Sequence, residues 1–324
     1  MPDIYFEEKY GKLDEFIEEG KSVKYIYEDE NGKISNLFML REIPTKLENE
    51  TYFDIATPYG YGGPVVEELR GDKSELIKSY MDSFTQYCQK NNIVSEFIRF
   101  HPVVKNADDF EPVMNIQFIR NTVCTYFRDN EDVLTSEFHK SARKVIRRAL
   151  RAGVSYEVIE KPEDLNVFIK NYYDTMDRNQ ASDNYYFKKE YFEYMLKEFS
   201  DNLLNINVYS EDGVCIASGL YFLYGKNMHA HLSGTKHEYL NLSPAYILKY
   251  ATAEYGVSHG YDYIHYGGGT SNDENNPLLK FKMKFTNSPL CEFKIGKNIY
   301  LPEVYNKLVE ISQPEKEFFP EYRG

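Results

Sequence analysis

The sequence has no tryptophan and no CxxC pair; its four cysteines, Cys88, Cys124, Cys215 and Cys291, stand far apart. That spacing supplies neither a zinc-ribbon nor a dithiol redox motif, and it fits buried, reduced thiols in a cytoplasmic protein. No stretch approaches the roughly 20 apolar residues of a membrane-spanning helix. The opening MPDIYFEEKYGKLDEF is acidic with no apolar centre, so it does not read as a secretory signal. Positive charge is also scarce, since 51 Asp and Glu against 38 Lys and Arg leave a net charge of −13. Binding nucleic acid or an anionic membrane over the whole surface is therefore disfavoured, and any polyanion site must be a local basic patch. Neither a repeat of fixed period nor a low-complexity tract is present, which excludes a solenoid.

What is present is a chain of 324 residues, 42% of them apolar, with 30 Tyr and 21 Phe. That length exceeds one typical core and predicts two domains. In the first half, 23–27 and 37–43 read as strands around an Asn31-Gly32 turn, and 51–56 as a strand ending in Thr57-Pro58-Tyr59-Gly60-Tyr61-Gly62-Gly63-Pro64. The Gly and Pro residues there mark a backbone that bends tightly or approaches a ligand. A helix at 75–91 and strands at 93–100 and 116–127 follow. A long helix, with Ser136 as N-cap, runs to 152 and stops at Gly153; the domain boundary is placed near it. In the second half, 163–176 and 188–199 read as amphipathic helices. The runs 206–210, 214–224 and 228–233 form a three-stranded antiparallel meander. Ser243-Pro244 opens a helix to 257, and 261–266 is a buried strand. The segments 280–285 and 291–295 come last.

Four segments could carry chemistry. Lys140, Arg143, Lys144, Arg147, Arg148 and Arg151 fall, at roughly 100° per residue, on one arc of about 140°. Ala142, Val145, Ile146, Ala149 and Leu150 fill the other face. Such an arc suits phosphate or another polyanion, with Arg143 and Arg147 as the holding residues; it equally suits a solvated face answering nearby acids. In His229-Ala230-His231-Leu232-Ser233-Gly234-Thr235 the two histidines point the same way on a strand. No third ligand is spaced nearby, so no metal is expected, and His229 reads as a packed residue. Ser233, Gly234 and Thr235 at the strand end offer N–H groups and hydroxyls to a carbonyl or phosphate. The helix start at Ser243 is a potential anion site. Gly267-Gly268-Gly269 lets a substrate pass close to a strand end. In Lys280-Phe281-Lys282-Met283-Lys284-Phe285 the lysines share a face if the chain is extended. Lys280 and Lys282 are then candidates to neutralise a phosphate or an oxyanion, against the alternative of a lysine-decorated edge strand.

Together these segments resemble the Fem-type aminoacyl transferases of the acetyltransferase (GNAT) superfamily, which build peptidoglycan cross-bridges from aminoacyl-tRNA. The resemblance rests on SARKVIRRA at 141–149, HLSGT at 231–235, LSP at 242–244, GGG at 267–269, FKMKF at 281–285 and TPYGYGGP at 57–64. It implies a mixed α/β (α+β) protein of two tandem GNAT-like domains, each a largely antiparallel sheet flanked by helices. The divisions would be 1–150, 151–300 and a segment 301–324 that packs back on the first domain. It also implies a cytoplasmic acyltransferase forming an amide on an amine of a cell-wall or surface-polysaccharide precursor. Lys280 and Lys282 would be catalytic; Tyr59, Arg143, Arg147, His231, Ser233, Gly234, Thr235, Ser243, Gly267 and Gly268 would bind substrate. No tightly bound cofactor is implied, the acyl donor being aminoacyl-tRNA or acyl-CoA, and the acceptor a phosphate-bearing small molecule or a lipid-linked one. Two features depart from relatives: there is no long helical-hairpin arm, and 238–244, where a pyrophosphate loop would lie, has no glycine. The alternatives are an acyl-CoA-dependent N-acyltransferase acting on an amino-sugar nucleotide and, outside catalysis, a degenerate module that binds a nucleotide-sugar or RNA.

Overall fold

The computed structural model describes residues 2–47, 49–128, 132–314 and 318–324. Its strands are β1 (Lys21–Asp29), β2 (Gly32–Glu42), β3 (Phe53–Ala56), β4 (Val65–Leu69), β5 (Ile93–Arg99), β6 (Ile116–Tyr126), β7 (Ser155–Glu160), β8 (Leu203–Tyr209), β9 (Cys215–Tyr224), β10 (Asn227–Thr235), β11 (Tyr263–Gly267) and β12 (Cys291–Ile299). By contacts the chain divides into Met1–Ile119 with Glu292–Gly324, and Arg120–Cys291. The sequence reading put the divisions at 150 and 300 instead. The basic helix falls in the second unit because its apolar face, Ala142, Ile146 and Ala149, joins the core of β8 to β11.

In the first unit the sheet order is β1-β2-β3-β5-β12, with β4 on β2. The hairpin of β1 and β2 pairs Asp29 with Gly32 across the expected turn, and β3 runs parallel to β5. The helix Lys73–Lys90 is capped by Asp72, whose side chain accepts from the Glu75 N–H at 2.9 Å. It lays Leu76, Tyr80, Phe84 and Cys88 on Ile34, Phe38 and Ile98. The end of the chain folds onto this unit. Tyr305 and Leu308 of the helix Pro302–Ser312 pack against Ile43 and Val94. Arg323 Nε donates to the buried Asp54 carboxylate at 2.5 Å, and Arg41 Nε donates to the same group at 2.8 Å.

In the second unit the order is β6-β11-β10-β9-β8-β7. The expected meander is β8-β9-β10, antiparallel throughout, with β11 parallel to β10. Two local expectations are corrected. The basic helix runs Lys140–Arg151 and does not begin at Ser136, which ends a separate short helix, Val133–Ser136. The break follows from Glu137, whose carboxylate accepts from Thr286, from the Asn287 N–H and from Ser288, and from Phe138, which is buried against Phe285. The 280–285 segment is helical rather than extended: Pro277–Lys282 is an α-helix continuing into a 3-10 turn, Met283–Phe285. Asn276 caps it by accepting from the Leu278 and Leu279 N–H groups, and Pro277 occupies the first turn.

Candidate active site

The meander's last strand is irregular where it matters. Its register with β9 shifts between Ala230 and Leu232, leaving His231 in a bulge. Beyond β10 the chain passes through a 3-10 turn, His237–Leu242, into the helix Pro244–Ser258. A cavity of about 140 Å³ lies among this strand end, that helix, Tyr266 of β11 and the helix at 277–282. Its polar wall is His231, Ser233, Thr235, Lys249, Tyr266 and Lys282; Leu248, Leu278 and Phe281 supply much of the apolar wall. Among the described residues no Asp or Glu lines it.

The two lysines dominate the electrostatics. Lys282 Nζ donates to the Gly268 carbonyl at 2.6 Å. Burial, then the Arg120 charge, brings its ammonium down to about 8. Arg120 itself donates to the Gly269 carbonyl at 3.1 Å. Lys249 Nζ stands 3.8 Å from the centre of the Tyr266 ring. Burial, then the charge on Lys282, pushes Lys249 well below the usual lysine range; the ring face acts the other way by favouring the cation. Tyr266 is 3% exposed, and its hydroxyl has no hydrogen-bond partner among the described residues. The nearby Thr125 hydroxyl donates to the Phe285 carbonyl at 2.5 Å. Burial raises the Tyr266 phenol, and the Thr125 hydroxyl beside it works against that rise.

His231 shares a 2.7 Å hydrogen bond with the Tyr191 hydroxyl through Nε2. Burial, then His229, lowers it to about 3, so it is neutral at pH 7. This has a signed consequence. Unfolded His231 takes up a proton near pH 6.5, the ordinary value, whereas the folded ring resists until about 3. Its contribution to stability is full above that ordinary value and is lost as pH falls toward 3. The urea midpoint should therefore drop less between pH 7 and 4 in His231→Gln than in the wild type. Equal drops would show that the ring titrates alike in both states.

The structure places the residues expected from sequence as follows. His231, Ser233, Thr235 and Lys282 line the cavity together. Gly268 enters through its carbonyl, and Gly267, at φ 71, turns the chain out of β11. Gly234 lies on the same strand end but faces the helix Asn166–Arg178, where an added Cβ would stand 2.2 Å from the Asn171 carbonyl oxygen. Lys280 is exposed and donates to Asn275 at 2.8 Å, outside the cavity wall. Its separation from Lys282 follows from the helix, in which two residues span about 200°. Ser243 stands before the helix with Pro244 in the first turn, as expected. Its backbone is left-handed (φ 58), and its side chain makes no capping hydrogen bond.

Arg143 and Arg147 border a separate surface groove of about 1050 Å³ along the basic helix. Among the described residues none of its six cations forms an ion pair with a carboxylate; Arg143 donates to the Thr135 carbonyl at 3.3 Å. Tyr59 belongs to the first unit. Its N–H donates to Asp14 at 3.0 Å and its carbonyl accepts from Tyr10 at 2.7 Å. Burial, then the charge on Glu18, lifts Asp14 to about 7. Sequence reasoning missed Lys249 and Tyr266. Lys249 left a signal: it is the single cation in the largely apolar helix PAYILKYATAEYGVS.

Residues 136–281 match the family model described as an acetyltransferase (GNAT) domain. Across 309 residues the chain is 23% identical to UDP-N-acetylmuramoylpentapeptide-lysine N(6)-alanyltransferase of Weissella viridescens, covering 88% of this chain and 86% of that protein. Residues 136–281 thus match a GNAT domain, and over most of its length the chain is similar to Fem-type transferases. The crystal structure of FemX superposes with a TM-score of 0.69 at 15% identity, covering 94% of each chain. The C-terminal domain of a putative lysylphosphatidylglycerol synthetase from Agrobacterium fabrum follows at 0.55 and 12%, over 93% of this chain and 96% of that one. At such identities the structural likeness is one of fold, and it bears out the tandem GNAT-like architecture. The sequence matches bear out the expected class, an enzyme that transfers an acyl or aminoacyl group. Among the described residues no helix is long and apolar enough to cross a membrane.

Proposed function

We propose that this Fem-like protein transfers an aminoacyl group from the ester of an aminoacyl-tRNA to an amine on a nucleotide-linked muropeptide. The single observation that carries the reading is the cavity at the end of β10 walled by Lys249 and Lys282, with no Asp or Glu lining it among the described residues. In the reaction the acceptor amine attacks the ester carbonyl, a C–N bond forms, and the carbonyl oxygen gains negative charge. The C–O bond then breaks, and the amine's proton passes to the departing ribose oxygen. Lys282, fixed by the Gly268 carbonyl, is the ammonium that faces the developing oxyanion. Ser233 and Thr235 position the ester, and neutral His231, held by Tyr191, fixes the bulge that carries them. The 3-10 turn His237–Leu242 contains no glycine. That favours an ester donor over a CoA thioester, whose pyrophosphate needs closely approached backbone N–H groups.

The test is incubation with charged tRNA and a UDP-linked muropeptide, followed by mass spectrometry. One added aminoacyl residue is expected. Product from acyl-CoA and none from charged tRNA would overturn the donor assignment.

The basic helix belongs to this reading as the phosphate-holding surface. Arg143→Ala combined with Arg147→Ala should weaken binding of the phosphate-bearing substrate about tenfold at low salt, on the scale of 1.4 kcal/mol per factor of ten, and less at high salt. Fluorescence anisotropy with labelled tRNA and with the UDP-linked acceptor identifies which substrate it holds. Unchanged affinity for both at low salt would make the arc a solvated face.

A further inference from the structure

One corner of the cavity is idle in the reaction just described. Lys249 brings an ammonium into an apolar helix and gives it no hydrogen-bond acceptor and no ion pair among the described residues; its contact is the face of Tyr266. The Tyr266 hydroxyl beside it is buried and also has no partner there. A buried polar group without a partner is costly, and the Tyr266 hydroxyl is one; Lys249, partly exposed, stands over its ring. Lys282, a second lysine, lines the same space, and among the described residues no Asp or Glu lines it. In a protein of net charge −13 a carboxylate partner would be easy to supply from the chain, yet this wall has none.

We infer that this corner is a carboxylate pocket, in which Lys249 and the Tyr266 hydroxyl seat the carboxylate of a short aliphatic acid group carried by a substrate. The match is chemical and steric. A carboxylate accepts from several donors at once; three N–H bonds of Lys249 and the O–H of Tyr266 are available to it, and charge-assisted hydrogen bonds of this kind are the strong ones. Leu248, Leu278 and Phe281 line the same cavity and would cover an aliphatic stem. A volume of about 140 Å³, on the order of five waters at roughly 30 Å³ each, admits a short acid. A phosphate has no stem to lay on the apolar wall, so the carboxylate is the better fit.

The inference concerns binding alone, so its test needs no donor or acceptor and stands apart from the transfer reaction. Full-length protein is titrated with sodium propionate, inorganic phosphate and, at matched ionic strength, sodium chloride, and the melting temperature is followed. Propionate should raise the melting temperature saturably beyond chloride. Lys249→Met keeps a chain that packs on the Tyr266 ring and should abolish the saturable part. Tyr266→Phe removes a hydroxyl that has no partner, so the fold should be unharmed, while the apparent propionate affinity falls several-fold. No saturable response in the wild type overturns the proposal, as does a response that survives in Lys249→Met or is unchanged in Tyr266→Phe. Phosphate binding more tightly than propionate overturns the carboxylate assignment. Should Lys249→Met fail to fold, the wild-type and Tyr266→Phe arms decide the matter by themselves.

Discussion

Lys282→Met is expected to lower turnover on the order of 100-fold with little change in the Michaelis constant, and Lys280→Met to leave both near wild-type values. The magnitude is that of removing one fixed donor from a developing oxyanion. A loss confined to turnover marks an interaction made in the transition state, whereas a rise in Michaelis constant would mark ground-state binding of phosphate. The two lysines separate because the segment is a helix. Lys282 faces the cavity and donates to Gly268; Lys280 faces water and donates to Asn275. Only the ammonium form of Lys282 can stabilise an oxyanion, and burial brings its titration to about 8. Turnover should therefore hold below that pH and decline above it, as the proton is lost. Circular dichroism confirms folding of each variant, and initial rates from pH 6 to 9.5 give the profile. Wild-type kinetics in Lys282→Met, or an equal loss in Lys280→Met, would remove the cavity from the chemistry.

The same segment shows where the sequence was legible and where it was not. Lys-x-Lys-x-Lys has period two and fits a strand, so Lys280 and Lys282 appeared to share a face. Asn276-Pro277, a helix-opening pair, stands two residues before it, and that local chemistry decided the conformation. The basic helix was readable because its two faces differ sharply: Ala142, Ile146 and Ala149 are buried, and the cations point outward. The β8-β9-β10 meander was readable from its Asp-Gly and Gly-Lys-Asn turns. Strand β7 was not, because SYEVIE at a sheet edge is half-exposed and carries two acids. Lys249 and Tyr266 were missed for a different reason. They lie 17 positions apart in sequence, and only the parallel pairing of β11 with β10 brings the helix and the strand to one cavity. Tertiary proximity of that kind leaves no spacing to read.

Gly234→Ala is expected to destabilise the protein by about 3 kcal/mol, at the upper end of the usual cost of overpacking, and to do so without any substrate present. From sequence Gly234 is a candidate substrate contact, because HLSGT ends a strand where backbone N–H groups can serve a ligand. The packing assigns it another task. A Cβ there would stand 2.2 Å from the Asn171 carbonyl oxygen, 2.4 Å from its carbon and 2.6 Å from the Tyr172 nitrogen. All three are backbone atoms of the helix Asn166–Arg178, so no side-chain rotation relieves the clash. Nor can the helix easily retreat. The Thr235 N–H donates to Thr175 at 2.8 Å, and Arg178 donates to the Thr235 carbonyl at 2.7 Å, which ties helix to strand one residue away. Gly268→Ala is the control: the nearest atom to its Cβ would be the Asn121 carbonyl oxygen at 3.1 Å, a contact that a small shift can relieve. Urea unfolding should show a much lower midpoint for Gly234→Ala at an unchanged slope, and a small change for Gly268→Ala. Wild-type stability in Gly234→Ala, with only substrate affinity lost, would return Gly234 to the list of ligand contacts and show that the helix yields where the hydrogen bonds to Thr235 say it should hold.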